Sequence, residues 1–285
     1  MTKTNQKSKF KNQKLSYILI GFVIFFLGLG LFKTIRSSFF LKKRDRVNVV
    51  FFGQETAFYS LGFDDVNYFV YFSPDEKIMV PGGFKDYRLG ALGKLVSLEK
   101  KPAIFQRTFS IASSSFVDFY FYPAQTEIYY GNDQKNVFFP KITSFFLTKT
   151  NANWLERIYV WFLFSQRQVN QFRQIKNPSF KDLVGNFYQK TYRNERATVQ
   201  ILYTKNENNA KLLSQIIEGQ GIMVSDYSLD LDKKKNCQIL INGKTTLESA
   251  KVIGDFFNCP VVNRTIDAYD IIFKLGFEED NWTVE

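Results

Sequence analysis

Apolar residues fall along this chain in three kinds of run. The longest, LSYILIGFVIFFLGLGLF at 15–32, carries no charged residue in 18 positions. As a helix it measures ~27 Å, close to the hydrocarbon thickness of a bilayer. The second kind is short and closed by turn residues: VNVVFF (47–52) before Gly53, VNYFVYF (66–72) before Ser73-Pro74, KIMV (77–80) before Pro81-Gly82-Gly83, and FVDFYFY (116–122) before Pro123. Each predicts a strand. The third kind has helical spacing. Leu89, Leu92, Leu95 and Val96 mark a helix over 89–99, and 103–113 predicts another. Residues 141–190 read as helical, with Asn177-Pro178 as a cap and first turn. Within them IYVWFLF (158–164) is too short to span a bilayer and predicts a helix face that is buried or membrane-facing.

After a polar linker at 193–196, the pattern becomes a compact alternation. ATVQILY (197–203) predicts a strand, and 208–218 a helix with Ala210, Leu213, Ile216 and Ile217 on one stripe, stopped by Gly219 and Gly221. Strands follow at 222–227 and 237–241, separated by a polar turn at 233–236. Thr245 and Glu248 have capping-box spacing before Ala250, Ile253 and Phe257, which predicts a second helix, and DIIF (270–273) a last strand. The order βαββαβ argues for a small α/β layer domain. The fold class expected is α/β: one transmembrane helix, a larger α/β domain and this smaller one. The boundaries expected are a basic tail at 1–14, the anchor at 15–32, a basic juxtamembrane linker at 33–46, the first domain at 47–192 and the second at 193–285.

Charge changes the picture at one end only. The formal net charge is +11, but residues 1–46 hold eleven Lys/Arg and one acid, which leaves 27 basic against 26 acidic residues in the rest. The high pI is thus a membrane-flank effect, favoured by anionic headgroups. A nucleic-acid footprint would lie on the folded body, so nucleic acid is not an expected partner. Basic residues flank the apolar run on both sides almost equally, and the positive-inside count is nearly a tie. The run is longer than a usual signal-peptide core and no A-x-A-like cleavage site follows it. An uncleaved single-pass anchor in the cell membrane is expected, tail in the cytoplasm and body outside. A cleaved signal is the alternative.

The chain has no His, which removes histidine bases and imidazole metal ligands. No P-loop, GxSxG, HExxH or CxxC is present, and Ser113-Ser114-Ser115 has no His partner. The two cysteines are Cys237 and Cys259. A strand of about six residues rises ~20 Å and a twelve-residue helix returns ~18 Å, so strand start and helix end should meet at one edge. A disulfide and two buried free thiols both remain open.

Two stretches look like parts of one family. The last ninety residues, with ATVQILY, EGQG, TTLESAKVIGDFF and DIIFKLG, resemble the LytR C-terminal domain. Residues 47 to about 122, with FFGQET, Asp65 before NYFVYFSP, IMVPGG, YRLGALGKL and FVDFYFY, resemble the first half of a LytR-CpsA-Psr domain. The resemblance implies transfer of a glycopolymer from a polyprenyl-pyrophosphate carrier to peptidoglycan. That chemistry needs arginines on the pyrophosphate and acids holding a divalent metal. This chain has Val80-Pro81-Gly82-Gly83 where the family has Ile-Pro-Arg-Asp, and Phe63 where it has an arginine. The family's second half is unrecognisable in 123–190. Asp65 and Arg88 remain as candidate equivalents, with Asp64, Asp86 and Arg107 nearby. The expected protein is therefore a bacterial cell-envelope relative without assigned catalytic residues or cofactor. Its expected partners are membrane lipid and cell-wall polymer, a lipid-linked intermediate or envelope proteins. An active phosphotransferase, with Mg²⁺ as its cofactor, is the alternative; it requires Asp65, Arg88 and Arg107 to converge on one pocket.

Overall fold

The computed structural model describes residues 44–131, 138–175, 183, 185–231, 236–243, 247–266 and 268–284, with 22, 25, 28 and 30. The expected fold class is corrected on one main point. Among the described residues no helix is long and apolar enough to cross a membrane. The expected span at 15–32 lies outside the described residues apart from Phe22, Phe25, Gly28 and Gly30, which are helical. The tail at 1–14 and most of the linker at 33–46 also lie outside them.

The first unit is built on a six-stranded sheet of order β7-β6-β1-β2-β3-β8. Its strands are β1 (Arg46–Phe51), β2 (Thr56–Gly62), β3 (Asn67–Phe72), β6 (Phe119–Tyr122), β7 (Lys149–Thr150) and β8 (Phe172–Ile175). β1 is antiparallel to β2 and parallel to β6, and β3 is parallel to β8. Every residue of β1 and β2 is buried. Both faces are covered, which is why the apolar run at 47–52 does not alternate. Val50, Phe52, Phe58 and Val70 pack on α1 (Leu92–Glu99) and α2 (Ala103–Ser113). Val47, Val49, Phe51 and Tyr59 pack on α3 (Ile142–Phe146) and α4 (Trp154–Ser165). A hairpin of β4 (Lys77–Val80) and β5 (Lys85–Arg88) stands apart from this sheet.

The stretch expected to be helical over 141–190 is mixed. Asn153 and Glu156 close a capping box at the start of α4, and the chain then gives a 3-10 turn and the edge strand β8. Asn177-Pro178 lies outside the described residues. The expected linker at 193–196 falls largely within α5 (Lys190–Glu195).

The second unit has order β10-β9-β13-β11-β12. Its elements are β9 (Thr198–Tyr203), α6 (Glu207–Gly219), β10 (Met223–Leu229), β11 (Gln238–Ile241), α7 (Glu248–Phe257), β12 (Val261–Asn263), β13 (Ile271–Lys274) and a 3-10 helix at Gly276–Trp282. The expected βαββαβ is corrected to βαββαββ by β12, three exposed residues that carry too little pattern to be seen in sequence. α6 and α7 pack on one face over Val199, Ile201, Ile239, Ile271 and Phe273. α7 begins at Glu248, and the helix-capping oxygens come from Glu195, which accepts from the amides of Glu248 (2.8 Å) and Ser249 (2.9 Å). Thr245, the expected cap, lies outside the described residues. Cys237 and Cys259 are disulfide-bonded with Cα atoms 5.4 Å apart.

The two units share one core. Ile111 and Phe116 of the first sit in the cluster of the second, and the Phe116 ring stacks on Phe256 at 4.1 Å. The Gln189 side chain accepts from the amides of Asp45 (2.8 Å) and Arg46 (3.0 Å) and donates to the Arg46 carbonyl (2.8 Å), so it acts as a short extra strand on the start of β1.

Candidate functional site

The three residues singled out in sequence lie apart and share no partner. Asp65 stands in the β2–β3 turn, beside the start of β1. Its carboxylate faces the Arg46 guanidinium at 3.5 Å and the Lys190 ammonium at 3.3 Å. Arg46, counted in sequence as part of the membrane flank, is only 2% exposed. It opens β1 and donates to the Ser60 hydroxyl (3.1 Å) and the Val66 carbonyl (3.0 Å). The Ser60 hydroxyl donates to Asn48 Oδ1 (2.6 Å), and the Asn48 amide nitrogen donates to the Ser115 hydroxyl (2.7 Å). Asp65 thus anchors a buried polar chain along the sheet.

Arg88 closes β5 and stands as the N-cap of the 3-10 turn Leu89–Ala91 that leads into α1. It faces Asp75 at 3.6 Å, donates to the Tyr129 carbonyl at 2.9 Å and lies over the Tyr130 ring. These contacts fix the loop after β6, at the other end of β1. A six-residue strand separates the two ends by ~20 Å. Arg107, on α2, sits half-buried between the units and interacts electrostatically with Glu278 and Tyr120.

Asp65, Arg88 and Arg107 therefore do not converge on one pocket. The Asp65 carboxylate is already matched by two cations, which leaves it poorly suited to a divalent ion. Among the described residues no group of three or more His, Cys, Asp or Glu side chains could hold a metal. The described residues do not fit Mg²⁺.

The amide of Val66 holds the Asp65 carboxyl below its ordinary value, with Lys190 and Arg46 adding to the effect against some desolvation. A depressed carboxyl contributes stability above its unfolded pKa of about 3.9 and loses it as pH falls through the folded value. Asp65→Asn is expected to lower stability at neutral pH. The gap to the wild type should close below about pH 4 in urea titrations run across pH. A gap that persists at pH 2 would contradict the assignment.

Two clefts flank the sheet. At the Asp65 end, Gly62, Phe63, Asp65, Asn67, Gln166, Arg167 and Gln171 line a polar hollow of about 410 Å³. Arg167 is tied there to Asn67 (3.3 Å) and the carbonyls of Leu163 (2.7 Å) and Gly62 (3.1 Å). At the other end a cleft of about 390 Å³ opens beyond the carboxyl ends of the parallel pair β1 and β6. Phe51, Phe52, Phe121, Phe138 and Pro123 form its wall, and Gln54, Glu55, Ser144 and Thr148 its polar edge. Among the described residues no Lys or Arg lines it. The carboxyl ends of parallel strands are where open α/β sheets usually leave room for a ligand. Sequence reasoning missed this cleft because its two walls come from strands and α3, which are far apart in the chain; the Gly53 break after VNVVFF was the one local signal.

No protein-family model and no curated protein matches this chain. Among solved structures it is similar to the crystal structure of the transcriptional regulator yvhJ from Bacillus subtilis. The identity is 11% over 47% of this chain and 83% of that one, with a TM-score of 0.33, a likeness that carries no argument about function.

Proposed function

We propose that this protein is a non-catalytic, extracytoplasmic cell-envelope binder that holds the apolar chain of a lipid-linked cell-wall intermediate. The observation that carries the reading is the β1/β6 cleft, walled by aromatic rings and without a described cation at its edge. Such a site favours burial of hydrocarbon and offers nothing to neutralise a departing pyrophosphate. The scattering of Asp65, Arg88 and Arg107 supports binding over transfer, and the Cys237–Cys259 bond suits an oxidising compartment.

Calorimetry of the full-length chain with a short-chain polyprenyl phosphate is the test. Saturable binding is expected. Ser144→Trp, which fills the cleft from α3, should weaken it about ten-fold or more, a loss of ~1.4 kcal/mol of contact. Asp65→Ala and Arg88→Ala should bind like the wild type, and none should move polymer onto peptidoglycan. Transfer by the wild type that Asp65→Ala or Arg88→Ala abolishes in a folded protein would replace this reading with the phosphotransferase.

A further inference from the structure

Among the described residues that line the β1/β6 cleft, Glu55 is the one that carries a charge. It is half-buried in the turn between β1 and β2, which the Thr56 hydroxyl fastens by donating to the Gly53 carbonyl (3.0 Å). Along β2, Ala57, Tyr59 and Leu61 pack on the α3 and α4 side of the sheet. Side chains alternate along a strand, so Glu55, two residues before Ala57, continues that side. Electrostatics agree with this placement. The hydroxyls of Tyr59 and Tyr71 are pushed above their ordinary pKa, first by burial and then by the Glu55 carboxylate. Tyr71 pairs with Ala57, so both phenols mark the side on which the cleft opens.

No cation answers this carboxylate. None of the ion pairs among the described residues includes Glu55. Lys149 follows the lining residue Thr148, but it pairs with Tyr122, which packs on the α1 and α2 side, so its side chain leaves on the opposite face. The rest of the edge has few donors to offer. Thr148 gives its one hydroxyl proton to the Ser144 carbonyl (2.7 Å), which leaves its oxygen an acceptor. Gln54 gives an N–H to the Tyr130 carbonyl (2.7 Å). Ser144 adds a hydroxyl that serves in either sense. An apolar wall with an unmatched carboxylate and acceptor oxygens at its rim complements a hydrocarbon stem that ends in N–H⁺ groups. A phosphate at the same place would meet Glu55 with like charge.

We infer that Glu55 selects the head group of the chain held in the cleft, and that the ligand class it favours is an alkylammonium, an apolar stem ending in a primary amine. The inference rests on the reading of the cleft as a hydrocarbon site and adds the chemistry of its rim. A phosphate-ended chain still buries its stem there, with its head turned to solvent and away from Glu55. Because Glu55 is only half-buried, water and salt screen the contact, and the selectivity expected is roughly ten-fold.

Calorimetry of the full-length chain with farnesylamine and with farnesyl phosphate tests it, since the two share one stem and differ in the head. The amine should bind roughly ten-fold more tightly at low salt, and the preference should fade as salt is raised. In Glu55→Gln the two affinities should come within about two-fold of each other, and Glu55→Lys should reverse their order. Circular dichroism checks the fold of each variant, and the salt series on the wild type stands should either unfold. Equal affinities in the wild type, or a preference that survives Glu55→Gln or high salt, would overturn the inference and leave the hydrocarbon site in place. Binding of neither ligand would overturn the reading of the cleft and the inference with it.

Discussion

Gly219→Ala is expected to destabilise the protein by about 3 kcal/mol or more, the upper end of overpacking effects. Local propensity gives the opposite sign: at the end of α6, alanine should gain up to ~1 kcal/mol over glycine. The steric term decides. A Cβ on Gly219 would stand 1.6 Å from the Ser114 carbonyl oxygen and 2.8 Å from its carbon. Ser114 cannot give way easily. It ends α2 in a left-handed conformation (φ 50°), donates its amide to the Ile111 carbonyl and is fully buried. Relief requires α2 and α6 to part, which opens the shared core at Ile111 and Phe116. Urea unfolding of the two proteins measures the difference. Gly243→Ala, where a Cβ meets nothing within 4 Å, should stay within ~0.5 kcal/mol of the wild type and serves as the control. A Gly219→Ala variant as stable as the wild type would show that the units yield at this contact.

The second large effect is expected at Glu279. This carboxylate is 0% exposed, in the 3-10 helix after β13. It accepts from the amide and hydroxyl of Thr204 (both 2.7 Å), the amides of Lys205 (3.1 Å) and Asn206 (2.7 Å), and the Asn209 side chain (3.3 Å). These donors surround the first turn of α6, where a negative charge is favoured by the helix dipole. Hydrogen bonds to a charged group contribute about 1.5–3 kcal/mol each but do not add, so Glu279→Ala is expected to lose roughly 4 kcal/mol. Glu279→Gln keeps the volume and turns an NH₂ towards N–H donors, with a loss of roughly 3 kcal/mol. Trp282, three residues on and buried, gives a fluorescence readout of unfolding at this spot. A loss below ~1 kcal/mol for Glu279→Ala would mean that water replaces the carboxylate without penalty.

Much of the fold could be read along the chain because burial wrote it locally. β1, β3, α1, α2 and the helices and inner strands of the second unit are apolar runs with Gly, Pro or Asn at their ends. β2 was not legible. TAFYSLG mixes Thr, Ser and Gly into a strand that is wholly buried, and Ser60 belongs there because Arg46 and Asn48 bond to it. β8 was read as helix since FRQI has no strand pattern of its own; its pairing with β3 across a hundred residues makes it one. Glu195 and Glu279 look like ordinary surface acids in sequence. Their role is tertiary, each satisfying amides of a helix that starts elsewhere. The same limit applied to the candidate site: Asp65 was visible, but its partners Arg46 and Lys190, which face its carboxylate, were not.

The Cys237–Cys259 bond has a mechanical consequence. It ties the residue before β11 to the one just ahead of β12, so β11 and α7 form a covalent ring closed over a separation of 22 residues. Tension applied along the chain passes through the bond and bypasses that ring. About 22 residues, ~75 Å of extended chain, stay out of the load path. Stretching can strip β12 or β13 from the sheet, but it cannot pay out the crossover between β11 and β12, which stays a slack-free loop.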